Sequence, residues 1–304
     1  MPDALLRHHR FAQLVAGCTF LLIVAGGLVT STGSGLAVPD WPLSFGQVFP
    51  RMEGGVLFEH GHRMVASVVG LLIVVLAAWT HLVEPRSWVR QLGWALLGAV
   101  VLQGVLGGLT VLMRLPDAVS VAHAGLAQLV FSATVLMAAV TAPGFRLVAP
   151  RGERGAELTR LAALIACAAT FAQIVLGAIV RHIGAGLAIP DFPLNYGRII
   201  PPFDAAPIAW QFAHRLGAVV AAGCIAWPAW RVLRLHRADS WLRLPVHLLL
   251  AATATQILLG ALTIWLRRDV VPTTAHQSVG ALVLALMALV AIRVHHALRP
   301  VGAA

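Results

Sequence analysis

The sequence predicts an all-α integral membrane protein, with eight transmembrane helices arranged as two parallel four-helix-bundle repeats. Three observations carry that prediction: a composition too apolar for a soluble domain, eight apolar runs of membrane-crossing length, and a duplication relating the first four runs to the last four. Of 304 residues, 59% are hydrophobic and only 11% charged, with a mean hydropathy of +0.84. A soluble domain carries about 25% charged residues. All 22 basic residues are arginine, and they stand between apolar runs instead of forming one patch. The net charge of +10 therefore reads as a topology signal facing anionic lipid, not as a nucleic-acid surface. Cys18, Cys167 and Cys224 all lie within apolar runs, at spacings that suit neither a metal site nor a loop disulfide.

The spans fall at 11–31, 60–81, 89–112, 119–141, 158–181, 207–230, 244–266 and 273–295, each close to the ~20 residues a bilayer requires. None alternates as a barrel strand does, and helices satisfy their own backbone in lipid. The first run follows Arg7 and Arg10. Its length and its counterpart at 158–181 predict a retained span, not a cleaved signal. Fourteen arginines flank the side holding both termini and the loops at 82–90, 142–157 and 231–243, against six on the other. The positive-inside rule places both termini in the cytoplasm of a cell-membrane protein.

The duplication is read directly. GLAVPDWPLSFGQVFP from Gly35 recurs as GLAIPDFPLNYGRIIP from Gly186, and HRMVAS from His62 as HRLGAV from His214. QGVLGGLTV from Gln103 recurs as QILLGALTI from Gln256, and AHAGLA from Ala122 aligns with AHQSVGA from Ala275. Offsets are 151 to 153 residues throughout. Four spans return the chain to its starting side, so the repeats are expected to be parallel. The predicted organisation is a first repeat at 1–141, a linker at 142–157 and a second repeat at 158–304.

Of thirteen histidines, four recur: His62 with His214, and His123 with His276, each near the start of an even-numbered span. Two imidazoles from neighbouring helices of a four-helix unit can hold heme iron axially. Zinc is served less well, because the local ligand spacing of a structural site is absent. His60, His182 and His247 have no histidine counterpart. His8, His9, His81, His236, His295 and His296 are expected to face solvent or headgroups. Arg63 and Arg215 follow the repeated histidines, either snorkelling to water or pairing with a heme propionate. The proline-containing outer loops are expected to be structured caps, with Asp40 and Asp191 as turn residues. Trp41 and Phe192 read equally as interface anchors or as covers for a macrocycle. Glu59 lies three residues before His62, where the other repeat has Gln211. It is either an acid/base group beside the iron site or a helix N-terminal acid favoured by the dipole.

Taken together, the eight spans, EHGHR and QFAHR, AHAGLA and TAHQSVGA, and the paired GLAxPDxPL loops resemble the heme A synthase family over nearly the whole chain. The resemblance implies oxidation of a ring methyl of heme O to a formyl group by successive hydroxylations. It implies a heme b held by His214 and His276, with Arg215 beside it. Substrate heme O would lie on His62 and His123, with Arg63 and the catalytic Glu59. It also implies an electron acceptor and a heme O-forming farnesyltransferase as partners, within a membrane protein that could be a homo-oligomer. Some members carry a cysteine pair in the outer loops; this chain has none there and resembles a cysteine-free branch. A diheme electron-transfer cytochrome and a heme carrier or assembly factor are the alternatives. The Glu59/Gln211 difference favours the enzyme, since an electron wire has little need of a carboxylate beside one iron.

Overall fold

A computed structural model describes residues 3–300. Eight helices in it are long and apolar enough to cross a membrane, as a multi-pass membrane protein requires. They are α1 (Asp3–Ser31), α2 (Gly55–Val83), α3 (Ser87–Leu112), α4 (Asp117–Thr141), α6 (Ala156–His182), α7 (Ala206–Leu235), α8 (Ser240–Trp265) and α9 (Val270–Ala297). A proline or a left-handed residue follows most of them within a few positions. Arg114 and Leu115 after α3 have φ of 58° and 59°, and their repeat counterparts Arg267 and Arg268 after α8 have 50° and 64°. Asp239 caps α8 by accepting the Leu242 N–H at 3.1 Å, satisfying one of that helix's orphan donors.

The chain forms two compact units. Residues 1–142 group with 268–278, and residues 143–267 group with 279–304. In the first unit α1 packs on α2, α2 on α3, α3 on α4 and α4 back on α1, closing a four-helix ring. Its interior holds Val15, Ile73, Leu76, Leu96 and Met137, while Leu21 and Leu71 project outward as a lipid-facing surface does. The first turns of α9 lie against α1, with Thr274 Oγ1 donating to Ser31 Oγ at 2.9 Å. The second unit has its own core from α6, α7, α8 and the rest of α9, including Ala163, Ile225, Leu249 and Met287.

The segment expected as a plain linker carries structure. It contains α5 (Pro143–Leu147) and β1 (Arg151–Glu153), which pairs in parallel with β2 (Leu298–Pro300). Three-residue strands show no readable alternation, so periodicity could not announce them. Of the histidines at this terminus-bearing end, His81 is exposed as expected, but others do not simply face solvent or headgroups. His8 is fully buried and bonds Thr80 Oγ1 at 2.8 Å, and His9 meets Thr141 Oγ1 at 3.3 Å. His296 stacks on Phe145 with centroids 4.2 Å apart and bonds the Val148 carbonyl. His236 pairs with Glu153 at 2.9 Å. Helices that run past the apolar stretch bring these rings into contact with neighbouring helix ends.

Candidate functional site

The two loops at 32–54 and 183–205 fold alike. Phe45 and Gly46 have φ of 54° and 70°, and Tyr196 and Gly197 have 56° and 70°. Ser44 and Gln47 exchange reciprocal backbone bonds of 3.0 Å around the first pair, and Asn195 and Arg198 do so at 2.8 and 3.2 Å around the second. Two successive left-handed residues make a type I′ turn. An aromatic side chain in that conformation costs about 1 kcal/mol, and a carboxylate offsets the strain. Asp40 accepts the Phe45 and Gly46 N–H groups at 2.7 and 2.8 Å. Asp191 accepts those of Tyr196 and Gly197 at the same distances.

These bonds, from Gly46 first and then Phe45, hold the Asp40 carboxyl below its ordinary range; for Asp191 the Gly197 bond leads. A depressed folded-state pKa gives a contribution fully present above the unfolded value of about 3.9 and lost as pH falls through the folded one. Asp40→Ala is therefore expected to speed hydrogen exchange at Phe45 and Gly46 at neutral pH. The unmodified loop should open only below the carboxylate range. Unchanged loop exchange in the variant would contradict this role.

Each cap is tied to the helix that follows it. Glu59, 4% exposed in the second turn of α2, accepts the Val38 N–H at 2.8 Å and Arg63 Nη2 at 2.6 Å. In the other repeat Gln211 accepts the Ile189 N–H with its amide oxygen and donates to the Gly186 carbonyl at 2.9 Å. Val38 and Ile189 are repeat counterparts, so carboxylate and amide perform the same clamp. Arg63 Nη1 donates to the carbonyls of Asp40 and Leu43 at 2.7 and 2.8 Å. Arg215 donates to the Asp191 and Leu194 carbonyls at 2.8 Å each. Both arginines thus bind cap backbone, a role absent from the two alternatives the sequence suggested. His60 joins the same network through Ser44 Oγ at 2.7 Å.

The repeated histidines lie against helix backbone. A Cβ on Gly26 of α1 would stand 3.2 Å from the His62 ring, and one on Gly107 of α3 the same distance from the His123 ring. One on Gly177 of α6 would stand 2.9 Å from the His214 ring. Glycine at these positions leaves room for an imidazole between packed helices. Trp41 uses the same device, its indole lying on Gly108 with 2.9 Å to a would-be Cβ. Phe192 instead meets the Trp265 ring edge-on at 6.0 Å and lies under Arg215 at 5.6 Å.

Glutamines buttress two of the rings. The Gln103 amide nitrogen lies 3.1 Å from His123 Nδ1 and donates to the His123 carbonyl at 3.0 Å. Gln173 does the same for His214 at 2.9 and 2.8 Å. At the position of Gln173 the first repeat has Leu22, and His62 Nδ1 is buried without a hydrogen-bond partner. Sequence reading missed all of these supports. Gln103 and Gln256 lie in a quoted repeat and were findable; Gln173 has no glutamine counterpart and was not.

His62 and His123 project into one helix ring, within electrostatic reach of each other. His214 stands in the second unit, whereas His276, in the second turn of α9, falls in the segment 268–278 that groups with the first. Among the described residues no three His, Cys, Asp or Glu side chains converge. In the first unit the donors His62 and His123 form an imidazole pair, which fits a group needing only two axial ligands from the protein. The glycine cradles fit such a group too.

Eight apolar spans with repeated imidazoles, and a clamped cap in each repeat, define a multi-pass membrane protein whose donors suit a heme. The profile of the COX15-CtaA family, cytochrome oxidase assembly protein, matches residues 9–59 and 53–288. The heme A synthase of Symbiobacterium thermophilum is 34% identical over 250 residues, covering 80% of each chain. That of Alkalihalophilus pseudofirmus is 30% identical over 230 residues, 73% of this chain and 76% of the relative. That of Listeria welshimeri is 26% identical over 275 residues, 89% and 90%. The chain belongs to the COX15-CtaA family, which includes these heme A synthases.

Proposed function

We propose that this chain converts heme O to heme A, with substrate heme on His62 and His123 and a resident heme b on His214 and His276. The observation that carries the division of roles is the difference between two equivalent positions, Glu59 and Gln211. Both clamp a cap through the same backbone amide, so the clamp does not require a carboxylate. The charge retained only in the first repeat pairs with Arg63, and in this reading it also serves as an acid/base group toward the substrate methyl. When bound, the two hemes supply the redox chemistry; the electron acceptor is a further partner.

The ligand supports agree with this division. The Gln173 amide nitrogen holds the His214 ring in place, 2.9 Å from Nδ1 while donating to the His214 carbonyl at 2.8 Å. His62 has Leu22 in place of such an anchor, which suits a site that must release its heme as product. Arg63 and Arg215 act on the hemes through the caps, leaving only the guanidinium edge not used there for a propionate. The arginine distribution supports cytoplasmic termini and heme sites toward the outer side. Mass analysis of hemes extracted after supplying heme O separates this reading from a diheme electron-transfer cytochrome or a carrier, neither of which changes the heme.

A further inference from the structure

At the terminus-bearing end of the second unit, a cavity of about 460 Å³ opens between α7 and α8, lined by Ala226, Ala229, Trp230, Leu233, Leu250 and two arginines, Arg234 and Arg237. Its volume is within the ~300–1,000 Å³ typical of small-ligand sites. The wall is apolar and the charges are confined to one end. α7 packs closely along α6 but meets α8 over fewer residues, and Pro228 interrupts α7 beside Ala226 and Ala229. Two small residues on α7 thus face a gap where a longer side chain would have closed it.

The arginines at the mouth differ from several others at this end. Arg151 pairs with Asp239, Arg231 donates to Thr159 and the Gly155 carbonyl, and Arg293 donates to the Trp241 carbonyl. Among the described residues, Arg234 and Arg237 engage no carboxylate and no hydrogen-bond acceptor. Arg234 only lies over the Trp230 ring, 5.1 Å from its centroid, and Trp227 sits 5.6 Å from Trp230 on the same face. Tryptophan at this depth marks the headgroup boundary. Two unpaired guanidinium groups above an apolar slot match one molecule with an anionic head and a hydrocarbon tail. A free phosphate would leave the apolar wall uncovered.

We propose that this cavity is a binding site for one anionic phospholipid, its phosphate on Arg234 and Arg237 and an acyl chain along Trp230, Leu233 and Leu250. The site requires only that the chain spans a membrane, so it stands or falls independently of the heme chemistry. The test is native mass spectrometry of the full chain in mild detergent, offered equal phosphatidylglycerol and phosphatidylcholine. One phosphatidylglycerol is expected to remain bound in preference to phosphatidylcholine. R234Q/R237Q should lower that preference roughly tenfold or more, while R10Q, an exposed arginine at the same end of the other unit, should not. Ala226→Trp should block retention of either lipid by filling the slot. Equal retention by R234Q/R237Q and wild type, displacement of the lipid by inorganic phosphate alone, or a cavity filled by a second copy of the chain without lipid would each overturn the proposal.

Discussion

Glu59→Gln is expected to leave the fold and heme binding intact and to lower heme A formation by roughly 10²–10⁴-fold, the usual contribution of a positioned acid or base. The duplicated scaffold supplies the control within one chain. Gln211 holds the Ile189 N–H with its amide oxygen, as Glu59 holds the Val38 N–H with a carboxylate oxygen. Glutamine at 59 can therefore keep the cap closed while removing the charge. Only the Arg63 ion pair is lost, and Arg63 keeps its bonds to the Asp40 and Leu43 carbonyls. Glu59→Ala removes the clamp as well and should loosen the cap in addition to abolishing conversion. The rate of heme A formation, with hydrogen exchange of the loop at 32–54, distinguishes the two. A Glu59→Gln protein that forms heme A at the normal rate would show the carboxylate to be a cap residue only.

Removing His214 or His276 is expected to abolish the resident low-spin heme of the purified protein, whereas His62→Ala and His123→Ala should leave it. An axial imidazole is a bond the remaining protein cannot replace, so near-complete loss is expected, not a shift. Gln173→Leu, which copies Leu22 of the first repeat, should weaken retention without removing the ligand, because the His214 ring loses its Nδ1 support. Optical spectra and heme content of the purified variants read this directly. Resident heme undiminished in both His214→Ala and His276→Ala would remove the ligand assignment.

The spans, their number and the repeat were legible because hydropathy and self-similarity are local properties of the chain. What escaped is long-range. Glu59 reads as a residue at a helix mouth, but α2 begins at Gly55 and the carboxylate sits one turn in, bonded to an amide 21 residues earlier. No spacing rule connects Glu59 to Val38. Arg63 and Arg215 read as snorkelling or propionate-binding because their actual acceptors are backbone carbonyls, which every residue possesses and no sequence advertises. The type I′ turns were hidden by Phe45 and Tyr196, residues seldom found at positive φ, where Asp40 and Asp191 compensate. His8 and His296 read as facing solvent or headgroups from their place on the cytoplasmic side; their contacts depend on helix ends meeting beyond the apolar runs. The four repeated histidines, in contrast, were visible because duplication copied them in register.

The central claim is that this chain changes its heme substrate chemically instead of carrying it or passing electrons through it. The most direct measurement is to express the chain with a heme O source, extract the hemes and determine their masses. Conversion of the ring methyl to a formyl group, absent from cells lacking the chain and strongly reduced with Glu59→Gln, is the predicted result. Recovery of heme O alone from folded, heme-loaded protein supplied with an electron acceptor would contradict it.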